Sequence, residues 1–222
     1  MEKVIMIGGR GSAVVIAEQI YDTQIKSGGV EFLGFAFDDE TLGDSINDFP
    51  ILCKTYEAYE KYKKYDDVKF IYQLYRPDLM KERIDLLHSF NIPDEKFYTF
   101  IHHSATVARS AKIGYGTAIM ANSVVNPNTV LGNHCTIHSN TLIGHDTKLG
   151  SYNFLAAHNV VGSSSVFGDG NFFGLNSTFN NYLKVGDFNF VGMASNVIKD
   201  LDSNQKVYGN PAKEFHKTIK PL

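Results

Sequence analysis

Residues 125–150 read VNPNTVLGNHCTIHSNTLIGHDTKLG, with an aliphatic residue at every sixth position: Val125, Leu131, Ile137, Ile143 and Leu149. The register runs back through Ile119, Ile113 and Val107. It runs forward through Leu155, Val161, Phe167, Phe173, Phe179, Val185, Val191 and Val197, sixteen consecutive matches in all. The residue after each is usually Gly or small, as at Ala108, Gly114, Gly132, Gly144, Gly150, Ala156, Gly162, Gly174 and Gly192. Four places after it comes another short residue, such as Thr117, Ser123, Thr129, Cys135, Thr141, Thr147, Ser165, Ser177 or Ser195. A hexad of this kind predicts a parallel β-helix, in which one knob per short strand stacks into a narrow core. With three hexads per turn and ~4.8 Å between stacked strands, sixteen hexads make a prism roughly 25 Å long. An amphipathic helix would need apolar residues near a 3.6 period, which this register lacks.

The composition agrees with a two-part chain. Its 222 residues carry 21 Lys/Arg and 24 Asp/Glu for a formal charge of −3, with 43% apolar residues, 2 Cys and no Trp. Those values exclude a collagen, a disordered tail, a disulfide scaffold and a basic nucleic-acid binder. No apolar run approaches the ~18 residues of a membrane span, and Met1-Glu2-Lys3 does not open a signal peptide, so a cytoplasmic setting is expected. The charge is uneven: residues 1–102 hold 12 of the basic and 18 of the acidic side chains, whereas residues 103–202 hold five of each. This shift places a boundary near Ile101–Ser104, giving segments 1–102, 103–202 and a tail at 203–222. A thin solenoid exposes most of its side chains. So few charges on it predict that partners or ligands cover part of its outer surface.

The first hundred residues alternate in period. Strands are expected at Val4–Ile7, Phe32–Phe37, Lys69–Leu74 and near Lys96–Thr99, with helices at Ala13–Lys26, about Thr55–Lys64 and about Pro77–Phe90. That order implies a small parallel α/β sheet of Rossmann-like type. The first turn, Gly8-Gly9-Arg10-Gly11-Ser12, would present backbone N–H groups to a phosphate, and Asp38 and Asp39 after the second strand could accept from a hydroxyl or a base. Val14 stands where a dinucleotide fingerprint has its third glycine, so NAD binding is not favoured, and a tight turn that simply needs glycine is the plainer reading.

Taken together, the halves resemble the sialic-acid-cluster/bacillosamine type of sugar acetyltransferase. The resemblance rests on the unbroken hexads, on Phe100-Ile101-His102-His103-Ser104-Ala105 at the junction, on Gly144-His145-Asp146, and on Val207-Tyr208-Gly209-Asn210-Pro211-Ala212-Lys213. It implies a left-handed β-helix, a homotrimer, acetyl-CoA as donor without a metal, and a nucleotide-linked amino sugar held by the N-terminal domain. It also implies that Phe154, Ser163, Gly174, Gly192, Asn210, Pro211 and Lys213 contact the cofactor, and that Gly8, Gly9, Arg10, Gly11, Ser12, Asp38, Asp39 and His138 contact the acceptor. The family's catalytic His-acid pair maps onto His145 and Asp146. Four positions depart from the family pattern: Phe154 stands where a second His is common, His138 where an Asn is common, Ser12 where His or Gln is common, and Arg10 where a small residue is usual.

The residues themselves support the pair. His145 is two places past the knob Ile143, at a coil corner, so it is not an inward core residue. Aminolysis of a thioester needs the amine to lose its proton, and an imidazole titrating near neutrality suits that task. A neighbouring carboxylate can fix the tautomer, and backbone N–H groups can stabilise the oxyanion. Eighteen-residue spacing gives two further columns. Phe154, Phe172 and Phe190 each precede a knob and turn outward, which predicts a subunit interface or a cofactor groove. Asn122, Asn140, His158 and Asn176 read as a polar ladder, with His158 as an alternative base. Other readings are acetylation of a sugar hydroxyl on the same scaffold, a zinc enzyme using His134, His138, His145 and His158, and a non-catalytic solenoid.

Overall fold

A computed structural model describes residues 1–215. The C-terminal part of the expected tail, residues 216–222, lies outside the described residues. The N-terminal sheet has the order β3-β4-β2-β1-β5, from β1 (Glu2–Ile7), β2 (Val30–Ala36), β3 (Ser45–Ile46), β4 (Phe49–Cys53) and β5 (Val68–Tyr72). It is parallel except for the β3–β4 pair. Helix α1 (Ser12–Ser27) buries Ala13, Ile16, Ala17 and Ile20 against Val4, Met6, Phe35 and Ile71 on one side of the sheet. Helices α2 (Ala58–Tyr62) and α3 (Met80–Ser89) cover the other side through Ala58 and Leu87 on Ile5, Ile7, Phe70 and Tyr72.

Local chemistry explains where the structure departs from the expected elements. The hairpin of β3 and β4 was not anticipated, yet Asn47 and Asp48 between them hold φ of 47° and 66°, the two left-handed residues of a type I′ turn. The segment expected to be a helix from Thr55 starts as a 3₁₀ turn, Thr55–Glu57, and ends at Tyr62. Helix α3 begins at Met80 instead of Pro77. In place of the strand near Lys96–Thr99 there is a 3₁₀ turn at Asp94–Lys96, and Phe97 makes a single bridge to Phe70.

From Phe100 to Tyr208 the chain winds as the left-handed parallel β-helix, a prism with three faces. The first face stacks Phe100–Ile101, Ala118–Ile119, Thr136–Ile137, Phe154–Leu155, Phe172–Phe173, Phe190–Val191 and Lys206–Tyr208. The second runs from Thr106–Val107 to Asn196–Val197 and the third from Lys112–Ile113 to Lys184–Val185. All sixteen knobs lie in one core, with Val107 and Ile113 partly buried at its open end. The short polar residues point inward at the corners and stay satisfied: Thr117, Thr129 and Thr147 donate from Oγ1 to the carbonyls of Gly132, Gly144 and Gly162 at 2.9–3.1 Å. From Gly116 to Ala194 one residue per corner takes a left-handed backbone, Asn122, Asn128, His134, Asn140 and Asp146 among them. Gly132 follows a knob because a Cβ there would meet the Gly150 carbonyl carbon of the next coil at 2.5 Å.

The six-residue register ends after Val197 because the last coil is two residues short: Phe190 pairs with Lys206, a step of sixteen rather than eighteen. Val207 is thus a further buried knob within the segment expected to be a tail, and Lys213–Glu214 adds an antiparallel strand to Val207–Tyr208. Likewise the first coil strand, Phe100–Ile101, lies just ahead of the expected boundary. The N-terminal part packs on the lower first face, where Ala118 and Met120 share a core with α1. No described helix is long and apolar enough to cross a membrane.

Candidate active site

His145 and Asp146 occupy the corner between the second and third faces. Asp146 holds the left-handed position of that corner, with φ of 58°, and this turns its carboxylate back on its neighbour. His145 Nδ1 lies 2.7 Å from Asp146 Oδ2, and Asn128 Nδ2 donates to Asp146 Oδ1 at 2.9 Å. The His145 contact first, and the Asn128 amide second, hold the Asp146 carboxyl below its ordinary value, so it is ionised and accepts from Nδ1–H. Nε2 is then the basic nitrogen. It has no hydrogen-bond partner among the described residues, and the imidazole is 59% exposed. Ser163 sits one coil above, its backbone N–H donating to Asn181 Oδ1 at 2.8 Å. The glycine before His145 has a packing cause, because a Cβ on Gly144 would meet Ser163 N at 2.5 Å.

The aromatic column lies on the first face, opposite that corner. Phe154, Phe172 and Phe190 stack with ring centroids 5.0 and 5.2 Å apart and planes 12° apart, each half-buried. The stack continues through His138 below, at 5.1 Å from Phe154, and through Tyr208 and Phe215 above, at 5.8 and 5.3 Å. Gly174 and Gly192 flank it, the latter because the Tyr208 ring covers its Cα: a Cβ there would lie 1.9 Å from the ring. Asn210, Pro211 and Lys213 follow Tyr208, with a cis Asn210–Pro211 bond and with Lys213 paired to Tyr208. A cavity of about 270 Å³ opens between this column and the start of α3, lined in part by Met80, Lys81, Phe172, Phe190 and Lys206. Of the residues expected to contact a cofactor, Ser163 therefore joins His145 at its corner, and the others group on the far side.

The Gly-rich turn meets the first face through Ser12, whose Oγ lies 2.9 Å from His138 Nε2. Burial lowers His138 to about 4, so it is neutral at pH 7. Gln19 and Gln73 add contacts to Ser139, Ala121 and Thr136 at 2.8–3.1 Å. Gly8 and Gly11 hold positive φ, and Gly8 has no room for a Cβ, which would meet the Gln73 carbonyl oxygen at 2.7 Å; Gly9 is packed under Phe37 in the same turn. Arg10 is ion-paired with Asp39, which also accepts from Thr41. Asp38 is occupied structurally, accepting from Thr55 N at 3.0 Å and Thr55 Oγ1 at 2.6 Å, and so starts the turn into α2. Asp38 and Asp39 line a small cavity of about 190 Å³ beside β4.

The remaining histidines have other partners. Asn122, Asn140, His158 and Asn176 form the corner ladder between the first and second faces, all with φ near 60°, and Asn140 Nδ2 lies 3.5 Å from His158 Nε2. His134 is buried among Phe97, Tyr115 and Tyr152 and lowered to about 4. Sequence reasoning missed the cluster of Asp22, His102 and His103, which clamps α1 to the first coil: Asp22 Oδ2 lies 3.2 and 2.8 Å from the two Nε2 atoms, and Lys26 pairs with Oδ1 at 2.8 Å. Ser104 N–H donates to His102 Nδ1 at 3.2 Å, which leaves the His102 proton on Nε2 for Asp22 and ties the cluster up as a hydrogen-bonded clamp. The adjacent His102-His103 pair was visible in sequence; its acidic partner eighty residues away was not.

Residues 110–145 and 128–163 match the family described as Bacterial transferase hexapeptide (six repeats). Over nearly its whole length the chain is similar to a variant of perosamine N-acetyltransferase from Caulobacter crescentus in complex with CoA and GDP-perosamine, at TM-score 0.83 and 21% identity over 98% of both chains. It is similar also to the acetyltransferase domain of PglB from Neisseria gonorrhoeae FA1090 in complex with acetyl coenzyme A, at TM-score 0.82 and 21% identity over 96% of this chain and 99% of that one. A comparison with curated proteins gives no match. The two-part fold expected from the sequence is thus shared with these acetyltransferases from end to end.

Proposed function

We propose that this protein is an acetyl-CoA-dependent N-acetyltransferase acting on the amino group of a nucleotide-linked amino sugar. The observation that carries the reading is the His145–Asp146 pair, with Nδ1 engaged and Nε2 open, on a fold shared with an N-acetyltransferase held in complex with CoA and GDP-perosamine and with an acetyltransferase domain held with acetyl coenzyme A. His145 Nε2 takes a proton from the acceptor nitrogen as that nitrogen attacks the thioester carbonyl, and Asp146 stabilises the resulting imidazolium. The C–N bond forms, the C–S bond breaks, and the proton passes from His145 to the departing CoA sulfur. The acceptor enters by Gly8–Ser12, Asp39 and His138, and CoA lies along Phe154, Phe172, Gly174 and Gly192. Because that column and the His145 corner lie on opposite sides of one prism, the reading needs a second copy of the chain to bring them together, and a homotrimer closes such a contact by symmetry.

The test supplies UDP-, GDP- and dTDP-linked amino sugars with acetyl-CoA and follows thiol release. Turnover with one of them, an amide product and a mass of three chains support the reading. An ester product moves the acceptor to a hydroxyl, and no turnover with any overturns it.

A further inference from the structure

The Asp146 carboxylate has two oxygens, and they are held by different partners. Oδ2 meets His145, while Oδ1 accepts from the Asn128 amide, one coil below. A carboxylate only accepts, so the atom facing it is the amide nitrogen. Asn128 and Asp146 both hold left-handed backbones, at φ of 60° and 58°, and stack in the same corner column. Asn128 is itself anchored from below, its backbone N–H donating to Ser110 Oγ at 3.0 Å. Ser110, Asn128, Asp146 and His145 thus form one continuous hydrogen-bonded chain along the edge of the prism.

We propose that Asn128 is a positioning residue of the transferase, which holds the Asp146 carboxylate with Oδ2 toward the imidazole and so fixes Nε2 outward. The proposal rests on His145 being the base. Asp146 is 49% exposed, and without a second hold its carboxylate would rotate among water partners. With Oδ1 tied, the planar group leaves Oδ2 one direction. The amide is neutral, so it orients the carboxylate without adding charge beside the base. Asn also tolerates the left-handed corner better than most residues, which lets one side chain serve both turn and site. The corner positions stacked around the pair, Pro127, Ser163 and Ser164, are uncharged, so Asp146 is the ionised side chain in contact with His145.

Asn128→Gly keeps the turn and removes the donor. The expected result is a kcat lower by about tenfold, with KM for both substrates within about twofold and an unchanged melting temperature. In an Asp146→Asn background the same substitution should add no further loss. Asn128→Asp places a second carboxylate against the pair, so the acidic limb of kcat/KM should move to higher pH. A loss confined to KM, a full loss repeated in the Asp146→Asn background, or an unmoved pH profile in Asn128→Asp overturns the proposal alone. Normal turnover in His145→Ala removes the base, and this proposal with it.

Discussion

Two sides of the same prism have opposite characters. The first face carries stacked aromatic rings, is half-buried along its column, and receives the N-terminal domain on its lower coils. The opposite corner carries a polar, exposed pair, in which His145 and Asp146 are 59% and 49% exposed. Both are written in the same hexad, at positions the core leaves free. The inward position of each hexad is committed to packing; the outward strand position and the corner are not. A repeat fold can therefore carry two unlike surfaces without disturbing its core, and here they lie on opposite sides of the prism.

The comparison breaks most sharply at the corner. His145→Ala should lower kcat by about 10²- to 10⁴-fold, the range of a general base, while circular dichroism and oligomer mass stay those of the parent protein. Inward against outward phenylalanine is the next contrast. Phe173→Ala should cost about 3–5 kcal/mol of stability by leaving a cavity, read as a lowered urea midpoint. The neighbouring Phe172→Ala should cost less than half of that and show mainly as a raised KM for acetyl-CoA; equal destabilisation would remove the distinction between the two positions.

A smaller effect concerns the junction with the N-terminal domain. His134 and His138 are lowered to about 4 by burial, from an ordinary value of 6.5. Between those values the unfolded chain takes up protons that the folded protein refuses, so stability is complete above about pH 6.5 and falls as the pH drops toward 4. Melting temperature against pH should show that slope, and His138→Gln should make it shallower. Superimposable slopes would return His138 to an ordinary histidine.

The legible parts of the molecule were those set by short-range repetition. Sixteen knobs could be placed because each strand pairs with the residue eighteen further on, and the same spacing foretold the Phe154 column and the corner position of His145. The hairpin at Ser45–Cys53 was missed because its strand of Phe49-Pro50-Ile51-Leu52-Cys53 carries a proline and its turn signal is two residues long. The last coil was missed because its two-residue deletion ends the period while leaving Val207 in the core. Asp38 looked like a ligand group by its place after β2, and only the folded chain shows that it also accepts from Thr55.

By itself the sequence determined the β-helix, its inward register, the alternating N-terminal domain and the adjacency of His145 to Asp146, all of which depend on neighbours in the chain or on a constant repeat. The tertiary structure decided which groups remain open for chemistry. It seated Ser12 on His138, tied Arg10 to Asp39, closed Asp22 with His102 and His103, and set Asn128 beneath Asp146. Those pairings join residues by the path of the chain through space, and hydrogen-bond reach across coils or between domains leaves no period in the sequence to be read.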